Sequence, residues 1–458
     1  MRLTILGGGG FRVPLVFRAL CDDPALGVDE LVLYDVDVDR LDVVAAVLTH
    51  LADGSGGTPP KVRVSSDLQD AVAGADFVFS AIRVGGLSGR VCDERSAMAH
   101  GVIGQETTGA GGVCYGLRTV PVAMRLAEVI AEVAPQAWVI NFTNPAGLVT
   151  EAMRSRLGDK VLGICDSPVG LFRRVSRALD IHMERAEFDY AGLNHLGWLR
   201  RVVVDGTDQL PRLLSDPQRL RRIEEGRLFG PSWLQSLGTI PNEYLWYWYF
   251  RSDAIVSGQR AAQTRGEYLR SQQDAFYHLA FDSAAHETGG MAPPTTYDNW
   301  ERTRRDREKT YMADSRESTE SGDGDRYDLD GGGYDKVALA VMRAVSANDP
   351  QRLVLNVPNR GTLPFLDDEA VVEVPCHVDA SGAQPLPVGP LDLAAQGMVA
   401  SVKAVERTTI EAAQKGSRSL AVQALALHPL VGSVPVAEAI LADQLQRLPE
   451  LVEALPNR

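Results

Sequence analysis

Residues 2–14 run Arg-Leu-Thr-Ile-Leu, then Gly7, Gly8, Gly9 and Gly10, then Phe11, Arg12, Val13 and Pro14: an apolar strand, four consecutive glycines and the start of a helical pattern. A strand that turns at once into a helix through residues lacking Cβ is the opening of a βαβ unit, and the same unit recurs along the chain. Strands are expected at Arg2–Leu6, Glu30–Tyr34, Lys61–Val64, Asp76–Ser80, Ala137–Ile140 and Lys160–Ile164, each followed by turn residues and an amphipathic stretch. Such alternation predicts an α/β fold with a doubly wound, parallel, Rossmann-type sheet. Past Arg185 the pattern changes. Phe188–Leu193 and Trp198–Val204 read as paired antiparallel strands, a long helical region is expected from about Asp208 to Ala284, and Tyr334–Ser346 resumes a helix. Arg352–Val357 and Val371–Val378 are further strands, and Leu391 to about Leu448 is mostly helical. The expectation is a dinucleotide-binding domain over 1–183 and an intimately packed α+β domain over 184–458, with an acidic, Gly/Ser-rich mobile surface loop at 313–333.

At 458 residues the chain exceeds one comfortable core, consistent with two packed lobes. A net charge of -14 argues against a nucleic-acid partner and against binding an anionic membrane surface. Five scattered cysteines do not make a disulfide framework and suit a reducing compartment. No leader pattern precedes the first strand and no long uncharged apolar run follows, so a cytoplasmic protein is expected.

The glycine turn offers backbone N–H groups and a helix N-terminus to a pyrophosphate; Gly7, Gly8, Gly9, Gly10, Phe11 and Arg12 are the expected contacts. Strand two ends at Asp35, where an acidic side chain accepts from the adenine ribose hydroxyls and disfavours a 2′-phosphate, so NAD is preferred over NADP. Ser80-Ala-Ile-Arg83 then opens a long Gly-rich loop carrying Arg90, Arg95 and Glu106 through to Gly112. Loops at this edge of a parallel sheet are usually functional, and arginines there suit an anionic or polyhydroxylated ligand. Asn141-Phe-Thr-Asn144-Pro145 follows the fifth strand. Cys165-Asp166-Ser-Pro168 follows the sixth and precedes a helix, a setting that favours a thiolate. His195 lies 30 residues further on, between two strands. A lone cysteine is ordinarily a small buried hydrophobe, but a thiolate and an imidazole that converge suit a borderline or soft divalent ion with positions left open for substrate. In Pro241-Asn-Glu-Tyr244-Leu-Trp-Tyr-Trp-Tyr249 the aromatics belong to core or subunit packing, while Tyr244, at the first helical turn, can act as a base beside a cation.

Taken together, residues 3–14, Arg83–Gly112, Asn141–Pro145, Cys165–Pro168, Asn194-His195 and Pro241–Tyr249 resemble, in order and spacing, glycoside hydrolase family 4, with the 6-phospho-β-glucosidase branch the most similar. The resemblance covers essentially the whole chain. It implies a domain like that of malate and lactate dehydrogenases, bound NAD, and a divalent metal, most simply Mn²⁺. It further implies Cys165 and His195 as metal ligands, Tyr244 as base, Asn144, Arg90 and Glu106 around the sugar and metal, and Arg265 as a substrate contact, with Arg83 toward the cofactor and Arg95 available for a phosphate. The implied chemistry is oxidation at sugar C3, loss of the C2 proton, elimination of the aglycone, water addition and return of hydride, without the usual carboxylate pair. The implied ligand is a phosphorylated glycoside, the implied assembly a homodimer or homotetramer. Two departures stand out. Asp166 replaces the asparagine typical of β-type members and suits a general acid for the leaving group, which leaves the anomer open; Gly9-Gly10-Phe11 replaces a frequent Gly-Ser-Thr. A 2-hydroxy-acid dehydrogenase on the same fold, a family 4 glycosidase acting on an α-linked or non-phosphorylated sugar, and a silent NAD-sensing or interaction protein are the alternatives.

Overall fold

The computed structural model describes residues 1–285, 295–309 and 333–456. Among them thirteen strands form one sheet. The first six are β1 (Arg2–Leu6), β2 (Glu30–Tyr34), β3 (Lys61–Ser65), β4 (Phe77–Ser80), β5 (Trp138–Asn141) and β6 (Val161–Gly163), all parallel in the order β3-β2-β1-β4-β5-β6. The expected parallel, doubly wound sheet is therefore present. Its central strands are apolar on both faces because helices cover both: Phe77, Phe79, Ile140 and Leu162 enter one buried cluster, while Val78, Val139 and Val161, one residue out of phase, enter the other.

Beyond residue 183 the chain extends the same sheet. β7 (Ala186–Leu193) and β8 (Leu196–Val204) form the expected antiparallel hairpin, flanked by the two-residue strands β9 (Thr207–Asp208) and β10 (Ile240–Pro241). β11 (Gln351–Pro358), β12 (Val371–Asp379) and β13 (Gly382–Pro385) then fill the gap between the two halves. β11 pairs with β6 at Asn356↔Gly163, and β12 pairs with β7 at Glu373↔Gly192. The register sets the turn between β7 and β8 level with the carboxyl end of β6, two strands away. Gly192 is required there, since a Cβ would lie 2.1 Å from the Leu196 carbonyl oxygen.

Two expectations need correction. The span 208–284 is not one helical region: Pro211, Pro217 and Pro231 each sit at the start of a new short helix, where a missing N–H costs nothing, and only Arg265–Ala285 is long. The span Arg83–Gly112 is not one loop: Gly86–Ala99 is a helix. Its buried face consists of Gly89, Cys92, Asp93, Glu94, Ser96 and Ala97, which carry no apolar periodicity to announce it. The aromatics after Tyr244 pack on the core, as one of the two readings had it: Trp246 is buried, and Tyr247, Trp248 and Tyr249 are half-buried against the core. The loop expected at 313–333 lies outside the described residues except for Gly333, the residue preceding the helix Tyr334–Ala347.

Candidate active site

A cavity of about 1570 Å³ opens along the carboxyl ends of β1, β2, β4, β5 and β6. At one end is the glycine turn. Gly7 and Gly8 both donate to the Tyr34 carbonyl, at 2.9 and 2.7 Å, drawing the turn onto the end of β2. A Cβ on Gly8 would fall 2.8–2.9 Å from Leu33 and Tyr34 atoms. Asp35 accepts from the Gly9 N–H at 2.9 Å and lines the cavity with Gly7, Gly9, Gly10, Phe11 and Arg12. The helix Val13–Asp22 that follows has Pro14 in its first turn and no side-chain cap, leaving its N-terminus to a ligand. Phe11 is buried against Phe276 and Trp300, and the Arg12 guanidinium lies 4.7 Å from the Tyr334 ring centroid. A dinucleotide pyrophosphate fits this cradle because a Cβ on any of the four glycines would lie within 3.0 Å of a neighbouring atom, so the turn keeps its backbone bare.

Cys165, His195 and Asn144 line the same cavity. Cys165 ends the stretch after β6. Burial, then the nearby Glu373 and Asp166 carboxylates, push its thiol well up, outweighing the Ser167 N–H; the helix N-terminus alone does not make a thiolate, so a cation has to. His195 occupies the β7–β8 turn at φ 61°. Burial lowers its pKa to about 4, against the pull of Glu106, so the ring is neutral and able to ligate. Its Nδ1 lies 2.8 Å from Thr107 Oγ1. The Asn144 side-chain oxygen is buried without a hydrogen-bond partner. Among the described residues no third His, Cys, Asp or Glu completes a cluster, so the candidate donors that this lining offers are the sulfur of Cys165, the imidazole of His195 and the amide oxygen of Asn144. That set fits a catalytic divalent ion rather than a closed structural one.

Tyr244 follows Asn242, whose side chain accepts from the Tyr244 N–H at 3.0 Å, and its ring stacks on His195 with centroids 3.7 Å apart. Asp166 stands at the start of the helix Ser167–Leu179 with Arg12 Nη2 at 3.9 Å; burial raises its carboxyl despite that cation. Glu106 is held between Arg83 and Arg90, the latter at 2.7 Å, and Arg90 also pairs with Glu94 at 2.7 Å. Burial opposes ionisation of Glu106, but the two guanidinia hold it at about 2. Arg265 lines the cavity and donates to the Arg307 carbonyl at 2.9 Å. Arg95 is not among the residues lining this space and is paired with Glu267 at 2.5 Å.

Sequence reasoning passed over four contributors. Thr107 sits in the Gln105–Thr108 run and shows itself only through His195. Arg307 lines the cavity from a helix so charged that no single arginine stands out. Glu243 is buried, accepts from Ser167 at 2.7 Å and is raised by burial to about 7. Glu373 is fully buried on β12 and accepts from Tyr190, Asn194 and Asn356 at 3.0–3.2 Å; burial raises it to about 7. A carboxylate inside Val371-Val-Glu-Val was the available signal for the last.

Residues 2–181 match the model of family 4 glycosyl hydrolases, and residues 190–431 that of the family's C-terminal domain. The sequence is 32% identical to a probable 6-phospho-beta-glucosidase of Bacillus subtilis and 29% identical to a maltose-6'-phosphate glucosidase of the same organism, each over 97% of this chain and 95% of the relative. The solved structure of a 6-phospho-beta glucosidase from Thermotoga maritima with manganese, NAD+ and glucose-6-phosphate aligns with a TM-score of 0.79 at 26% identity, over 97% of this chain and 98% of that one.

Proposed function

The chain belongs to family 4 of the glycosyl hydrolases, and we propose that it is an NAD- and divalent-metal-dependent glycosidase that cleaves 6-phosphoglucosides. One observation carries this: the glycine turn with Asp35, the trio Cys165, His195 and Asn144, the phenol of Tyr244 and the group Arg83, Arg90, Arg265 and Arg307 all line one cavity. The cavity would hold NAD along the glycine turn and Asp35, supplying reversible hydride transfer at sugar C3, and a divalent ion, most simply Mn²⁺, supplying polarisation of the oxygen there.

The remaining work falls to the chain. Asp35 accepts from the adenine ribose and disfavours a 2′-phosphate. Cys165, His195 and Asn144 would hold the ion. Tyr244, fixed by its stack on His195, removes the C2 proton, and Asp166, whose burial favours its protonated form, protonates the departing oxygen. The arginines neutralise the 6-phosphate, which a cavity lined by so many guanidinia would otherwise not need. Residues 1–183 act as the cofactor unit and 184–458 supply His195, Tyr244 and Arg265. The five free thiols suit a cytoplasmic enzyme. A homodimer or homotetramer is the expected assembly, measurable by light scattering.

The test is turnover of p-nitrophenyl α- and β-glucosides, each with and without 6-phosphate, in NAD, Mn²⁺ and reductant. Release of nitrophenol from a 6-phosphorylated substrate, lost with chelator and with Tyr244→Phe, is expected, with solvent hydrogen appearing at C2 of the product. Turnover of the unphosphorylated glucosides alone would remove the 6-phosphate from this assignment, and reduced cofactor accumulating in step with product would replace it with a dehydrogenase.

A further inference from the structure

Two hydrogen-bonded chains meet at the β7–β8 turn. On one side Asn194 is tied down: its Nδ2 donates to Glu373 at 3.1 Å and its Oδ1 accepts from the Ala146 N–H at 3.3 Å. These bonds hold a turn in which His195 takes the left-handed backbone that a branched-at-Cβ-free glycine would adopt more readily. On the other side stands the segment 105–108. The Gln105 side-chain oxygen accepts from the Thr107 and Thr108 N–H groups, both at 2.6 Å, so it is the carbonyl and not the amide nitrogen that faces Thr107. That oxygen also lies 3.2 Å from Thr107 Oγ1. It can only accept, so the single hydroxyl proton of Thr107 is directed to Gln105, and the lone pairs of Oγ1 are left for the ring of His195 at 2.8 Å.

We propose that Thr107 is a positioning residue: it accepts a hydrogen bond from His195 Nδ1–H, fixes that tautomer and leaves Nε2 as the ring's donor to the metal. Tyr244 stacked on one face of the imidazole limits its tilt, and Thr107 fixes its rotation. The neighbouring Glu106, which carries Arg83 and Arg90, makes the 105–108 segment the shared support of the sugar-side arginines and the metal ligand. Partners on the second nitrogen of a metal-bound histidine set both its orientation and its basicity.

The proposal rests on Cys165 and His195 binding the metal, and the experiment separates the two. Mn²⁺ affinity is measured on the NAD-loaded protein from the electron paramagnetic resonance signal of the free ion, for the wild type, Cys165→Ser, Thr107→Val and Thr107→Ser. Thr107→Val should weaken Mn²⁺ binding about 10- to 100-fold, and Thr107→Ser, which keeps the hydroxyl, should stay within about threefold. At saturating Mn²⁺, turnover by Thr107→Val should largely recover, so the effect is read in the metal requirement rather than in kcat. Independently of any variant's folding, long-range ¹⁵N–¹H correlation on metal-free, histidine-labelled wild type should show His195 protonated on Nδ1. Protonation on Nε2, or wild-type Mn²⁺ affinity in Thr107→Val, overturns the role of Thr107. Unchanged affinity in Cys165→Ser overturns the metal site itself.

Discussion

Replacing Glu106 by Gln tests the electrostatics of the cavity most directly, because the change removes a charge and almost no volume. The carboxylate is 12% exposed, lies 2.7 Å from Arg90 and pairs with Arg83, and its pKa falls from 4.5 to about 2. A depression of roughly 2.5 units corresponds to about 3 kcal/mol of native-state stability at neutral pH. The sign follows from linkage: the folded pKa lies below the unfolded one, so this stability is fully present above pH 4.5 and is lost as pH falls toward 2. By pH 3 roughly half of it should be gone. Denaturant titrations followed by tryptophan fluorescence at several pH values supply the measurement, with Gln standing in for the protonated acid. The expected outcome is a gap between wild type and Glu106→Gln of about 3 kcal/mol at pH 7 that narrows as pH falls. A gap under about 1 kcal/mol, or one that does not change with pH, would mean that water screens the clamp and that the two arginines need no carboxylate to coexist.

Further outcomes follow from other contacts. Arg118 and Asp93 form a fully buried bidentate pair, at 2.8 and 2.5 Å, that also receives Gln444 at 3.2 Å. Asp93→Asn should cost about 3–5 kcal/mol in urea denaturation, whereas a double variant with leucine at 93 and methionine at 118 should recover much of it, since the loss comes from the stranded guanidinium. Gly8→Ala, whose methyl would press on Leu33 and Tyr34 main chain, should lower NAD affinity by at least tenfold in fluorescence titration, with about 1–3 kcal/mol lost in stability. Arg90→Ala should raise KM for a 6-phosphorylated glucoside more than tenfold and Arg95→Ala less than threefold; equal effects would place Arg95 at the sugar after all.

Arg90 and Arg95 also mark where reading along the chain stops. Both occur in one polar stretch and both suit a phosphate, but in a helix a five-residue step turns a side chain by about 140°, so only one of the two faces the cavity. Treating 83–112 as a loop hid that difference, because the helix Gly86–Ala99 buries charges and small residues instead of an apolar stripe. The six parallel strands, by contrast, were legible with ends off by a residue or two. Each is an apolar run bounded by turn residues, and that signal is local. Cys165, Asp166 and Asn144 were legible for the same reason: residues that directly follow strands of a parallel sheet gather at its carboxyl edge whatever the rest of the chain does.

What lies beyond residue 183 obeyed no such rule. His195 could be flagged as an imidazole in a turn, but its place in the cavity depends on β11 and β12, more than 150 residues later, inserting between β6 and β7. The Thr107 contact, the buried Glu373 beneath the turn and the approach of Arg307 arise the same way. Sequence alone therefore determined the fold class and which strand-end residues come to line the cavity, since periodicity and turn chemistry act over a few residues. What His195 Nδ1 meets, which arginine lines the cavity and which carboxylates lose their water were decided only when distant segments packed, because hydrogen bonding and desolvation depend on neighbours in space rather than in order.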